Sequence, residues 1–71
     1  MSDDFGSWLR NRRESLDVTR QQLADASGIS WTKLSAIELG RKRVKGEQRE
    51  IIIQTLRYQF NDRTLNERDI P

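Results

Sequence analysis

The chain has 71 residues, 34% hydrophobic and 34% charged, and a formal net charge of +2. That length supports one core and a single domain over residues 1–71, burying only about 60% of the unfolded chain's surface. With no cysteine and no histidine it has no disulfide, none of the usual zinc ligand sets and no His-dependent nucleophile, so no enzyme constellation is expected.

No apolar run approaches the roughly 20 residues that a membrane-spanning helix needs. The opening MSDDFGSW has neither the basic region nor the apolar stretch of a secretory leader. A first helix is expected over about 3–16. Ser2 or Asp3 caps it, and Asp3 and Asp4 lie near its positive end. Phe5, Leu9, Arg12 or Arg13, and Leu16 recur at helical spacing, with Trp8 beside them.

The stretch TRQQLADASGISWTKLSAIELG, residues 19–40, organises the rest. Thr19 followed three residues later by Gln22 is a capping box, which starts a helix over 20–27. Leu23 and Ala24 give it a small apolar face, and Gly28 stands where a left-handed residue ends a helix. Ile29 plugs the corner and Ser30 caps a second helix over 31–39. Leu34, Ile37 and Glu38 share its inner side, and Gly40 closes it. Two helices joined by a short turn bearing glycine are the sequence form of a helix-turn-helix.

Arg41, Lys42, Arg43 and Lys45 then place four positive charges within five residues, with Val44 as the inward anchor of the 41–46 loop. Clustered charge of this kind marks a phosphate-binding surface better than net charge does. A further helix is expected over 47–60, with Ile51, Ile52, Leu56 and Gln59 or Phe60 inward. Its β-branched Ile51–Ile53 has no partner strand, so helix is preferred to strand. Asn61 and Asp62 break it, and a short last turn over 64–69 centres on Leu65. The fold class is therefore all-α, a compact domain of four to five helices.

Arg13, Thr19, Gln22-Leu23-Ala24, Gly28-Ile29-Ser30, Leu34, Ile37-Glu38 and Gly40 together resemble the Cro and phage-repressor (Xre) helix-turn-helix family over about residues 5–60. The resemblance implies a lambda-repressor-like domain that binds operator DNA as a dimer, in a bacterial cytoplasm. It also implies a structural ion pair between Glu38 and Arg13, since buried ionised groups persist only when paired. Where much of the family has a phosphate-binding glutamine, this chain has Arg20, with Gln21 next to it.

In this geometry the second motif helix enters the major groove. The base-contacting set is then Trp31, Thr32, Ala36, Ser35 and Lys33. The phosphate-contacting set is Arg20, Gln21, Ser30, Arg41, Lys42, Arg43 and Lys45. The base-facing set holds no Arg, Asn or Gln, the side chains that make bidentate contacts to guanine or adenine. Trp31 reads either as an apolar contact to the DNA or as a cover over the seam between the motif helices.

The partners implied are double-stranded DNA with a palindromic operator and a second copy of the chain. Tyr58, Phe60 and Leu65 are the apolar candidates for the dimer contact. No metal, cofactor, membrane or small-molecule ligand is implied. The function expected is a small dimeric repressor, autoregulatory in a phage or plasmid. A restriction-modification controller, an antitoxin-type regulator and a protein-interaction adaptor docking through Trp31 and Leu39 are the alternatives.

Overall fold

The computed structural model describes residues 5–66, 68, 70 and 71, all of them helix, turn or irregular chain, with no strand among them. Helix α1 spans Phe5–Ser15, α2 Arg20–Ser27, α3 Trp31–Glu38 and α4 Gly46–Gln54, and α4 runs into a π-helical turn over Thr55–Gln59. The start of the first helix and its Ser2 or Asp3 cap lie outside the described residues, as do Glu67 and Asp69 of the expected last turn. Residues 65 and 66 are not helical, while Thr64 lies in a turn.

Local chemistry sets the motif's boundaries. Thr19 Oγ1 accepts from the backbone N–H of Gln22, and Gln22 Oε1 accepts from the N–H of Thr19. Each satisfies a donor that the start of a helix would otherwise leave unpaired. Gly28, at φ 77°, ends α2 and donates its N–H to the Ala24 carbonyl. Ser30 then caps α3, its hydroxyl accepting from the Lys33 N–H.

The core gathers one stripe from each helix. Leu9, Leu23, Leu34, Ile52 and Leu56 are its fully buried side chains, and Phe5, Val18, Ile29, Ile37 and Ile53 complete it. α3 packs on both α1 and α2, and the π-helical turn packs on α2. Gly6 lets α1 come this close, since a methyl group there would collide with the Ile37 carbonyl oxygen of α3. Trp8, Leu16, Val44, Phe60 and Leu65 lie half-buried against the core.

Two expectations for the last helix are corrected. Ile51 is exposed and Ile53 takes the inward place, so the buried face is Ile52, Ile53, Thr55 and Leu56. The α-helix also stops at Gln54, short of residue 60. The Thr55 hydroxyl donates back to the Ile51 carbonyl at 2.7 Å, competing with the regular ladder, and Phe60 N–H bonds to the Thr55 carbonyl in the wider pitch.

Candidate nucleic-acid interface

Glu38 is the node on which the interface is built. It is buried on the inner side of α3. Its Oε2 accepts from Arg13 Nε at 2.8 Å, and its Oε1 accepts from Arg13 Nη2 at 3.0 Å. Oε1 also accepts from Arg20 Nη2 at 2.9 Å and from Arg20 Nε at 3.2 Å. Three of these four bonds fall on Oε1 and one on Oε2, so both oxygens of the buried carboxylate are paired with guanidinium N–H groups. Burial pushes the Glu38 carboxyl up, but the hydrogen bonds and charges of Arg13 and Arg20 outweigh it and hold the group below its ordinary value. Arg13 is raised in turn, its Glu38 hydrogen bond exceeding the opposing effect of burial.

Arg13 also fixes the corner between α1 and α2. Its Nη1 donates to the Val18 carbonyl at 2.9 Å, while the Val18 N–H donates to the Arg13 carbonyl at 3.0 Å. Asp17 takes a left-handed φ of 59° to turn the chain between them. The node therefore joins α1, α2 and α3 at one carboxylate.

With its inner side held there, α3 turns its other side outward. Trp31 and Thr32 at its start are exposed, as is Leu39 just past its end, while Lys33, Ser35 and Ala36 are half-buried. The basic loop begins by folding back on this helix, with the Arg41 and Lys42 N–H groups both donating to the Ala36 carbonyl. Val44 anchors the loop against the core, and Arg41, Lys42, Arg43 and Lys45 remain exposed. The result is a helix face flanked by four solvated cations.

The residues read as phosphate ligands are therefore not equivalent in place. The four loop cations stand together in solvent, and Ser30 is the cap of α3. Gln21, also exposed, donates to Asp25 Oδ1 at 2.9 Å. Arg20 is the one among them that is engaged across the motif. Its guanidinium is drawn inward by Glu38, its Nη1 lies 3.4 Å from Ser35 Oγ, and the Trp31 ring centre is 5.3 Å from its carbon. No local signal in the sequence foretells this, because the three partners of Arg20 lie on another helix across the turn. No cluster of acidic side chains able to hold a metal ion occurs among the described residues. Among them, too, no helix is long and apolar enough to cross a membrane.

Comparison with known proteins agrees with this construction. Residues 4–64 match the helix-turn-helix domain family, and the chain belongs to that family. It is also similar to an uncharacterized HTH-type transcriptional regulator of Mycobacterium tuberculosis found in two strains, at 36% identity over 52 residues. The alignment covers 73% of this chain but 37% of those relatives, so the chain spans well under half their length. No solved structure matches it.

Proposed function

We propose that this chain is a sequence-specific DNA-binding transcriptional regulator of the Cro and phage-repressor branch, acting as a small dimeric repressor on a palindromic operator. The observation that carries the reading is the pairing of a buried Glu38, held by two arginines, with an outward α3 face followed by the exposed Arg41, Lys42, Arg43 and Lys45. Such a face fits the major groove, with the loop cations supplying affinity and the α3 side chains supplying discrimination. Thr32 and Ser35 offer hydroxyls to base edges, Ala36 a methyl, and Lys33 a cation within reach of a base or a phosphate.

One such face spans few base pairs, so two copies on half-sites about 34 Å apart are the natural unit. Tyr58 is the exposed dimer candidate, whereas Phe60 and Leu65 are packed against the core of the monomer. Control in this reading runs through concentration and dimerisation on the chain's own promoter, in a phage or plasmid.

The adaptor reading keeps one observation in its favour, the exposure of the apolar Trp31 and Leu39 on the same face. A footprint on the DNA upstream of the chain's own gene, at two salt concentrations, separates the readings. Protection of an inverted repeat, weakened by salt, supports the repressor. Binding to no DNA at either concentration, together with capture of a protein partner lost on Trp31→Ala, supports the adaptor.

A further inference from the structure

We infer that Arg20 is a positioning residue that holds the Trp31 indole outward as a fixed apolar wall, and that this wall recognises a thymine methyl group. The inference rests on the DNA-binding reading and adds to it which residue sets the indole and which base it meets. A guanidinium that is to grip phosphate needs N–H groups not already engaged within the protein. That of Arg20 is instead held by Glu38 through Nε and Nη2 and approaches Ser35 through Nη1. Its side chain retains only 21% of its exposure, and the carboxylate that grips it retains none.

The guanidinium lies over the Trp31 ring at 5.3 Å, within the range of a cation–π contact. Trp31 is thus tethered to the buried node through one intermediary, yet remains 45% exposed at the first turn of α3. A tethered ring costs less ordering entropy on binding than a free one. An indole carries one N–H donor at its edge and no acceptor, while its broad face is apolar, and the apolar group displayed in the major groove for such a face is the thymine C5-methyl. Thr32 and Ala36 also carry methyl groups on this face, so the contact is assigned to Trp31 by the thymine position whose discrimination Trp31→Ala removes.

The test begins with duplexes selected from a random pool by the wild-type protein. In them each thymine is replaced in turn by deoxyuridine, which removes only the methyl. The wild type should lose about fourfold in affinity at one position per half-site, the weight of one buried methyl group. Trp31→Ala and Arg20→Ala should each bind the thymine and deoxyuridine duplexes equally, and the double variant should add no further loss of discrimination. If Arg20 is a phosphate ligand, Arg20→Ala instead weakens both duplexes alike, keeps the fourfold ratio, and lowers the slope of log K against log salt by about 0.9. That result overturns the inference, as does a wild type indifferent to every substitution.

A readout without DNA keeps the two proposals separate. In a Trp8→Phe background Trp31 is the sole indole, and its fluorescence anisotropy and acrylamide quenching report its tether. Arg20→Ala should free the ring, raising both local motion and quenching, while the thermal transition confirms that the variant is folded. Unchanged ring mobility removes the positioning role. Failure of every duplex to bind, with the ring still tethered by Arg20, overturns the DNA reading and the thymine contact with it, and leaves the positioning role of Arg20 standing.

Discussion

Adjacent arginines of α1 reach two buried carboxylates, and the two sites are built differently. Arg13 meets Glu38 of α3, and Arg12 meets Asp62 beyond the π-helical turn. In each site an arginine also lies against a tryptophan, Arg20 over Trp31 in the first and Arg12 over Trp8 in the second. Glu38 accepts four hydrogen bonds and its carboxyl is held low. Asp62 Oδ1 accepts from the N–H and hydroxyl of Thr64, but its Oδ2 has no hydrogen bond and only faces Arg12 Nε at 3.4 Å. The first site joins three helices behind an exposed indole. The second clasps the tail to α1 beside a half-buried one. Both oxygens of Glu38 are hydrogen-bonded where three helices meet, whereas one oxygen of Asp62 is not where the tail meets a single helix.

Removing Glu38 should break this contrast most severely. Glu38→Ala leaves two guanidiniums converging on a vacated buried site, at a cost of about 3–5 kcal/mol. For a domain of this size that is most or all of its stability, so thermal unfolding should lose its cooperative transition or shift to far lower temperature. A variant with wild-type unfolding would show that the node contributes little.

Gly6→Ala attacks the same helix pair from the backbone side. Its methyl forces α1 away from the Ile37 carbonyl, and overpacking of this kind costs about 1–3 kcal/mol. Urea unfolding should show a lower midpoint with an unchanged slope. Asp62→Asn should be milder, about 1 kcal/mol, because one oxygen is already without a hydrogen bond. Its spectral changes should stay in the tail and α1, leaving the amides of α3 in place.

Acid sharpens the comparison further. Because the folded-state value of Glu38 lies below its ordinary 4.5, its contribution is present above about that pH and is lost as pH falls through the lower, folded value. The stability gap between wild type and Glu38→Gln, followed by chemical denaturation, should therefore narrow on acidification. A gap independent of pH would mean that the carboxylate charge is not what the arginines hold.

What the sequence disclosed follows from how far each interaction reaches along the chain. The Thr19–Gln22 box, the Gly28 stop and the Ser30 cap are made within a turn, so residue types and spacing were enough. Arg13 and Glu38 could be brought together only by resemblance to a family. The contacts of Arg20 with Glu38 and Trp31 are not legible in the sequence, because nothing local to Arg20 announces either. Ile51, Ile52 and Ile53 are interchangeable in a pattern of hydrophobicity, and the packing of α4 decided which of them turned outward. The need for glycine at position 6 comes from α3, which no local pattern around Gly6 reveals. The π-helical turn over Thr55–Gln59 has no counterpart in the hydrophobic spacing, which runs on at ordinary helical period.

The most direct test of the account is amide chemical-shift mapping of the protein titrated with duplex DNA at low and moderate salt. The perturbed amides should fall in residues 19–21, 30–36 and 39–45 and fade with salt, while those of Ile51, Gln54 and Tyr58 change only where dimerisation accompanies binding. Perturbations centred on Ile51 to Tyr58 with α3 and the basic loop silent, or none at any salt concentration, would contradict it.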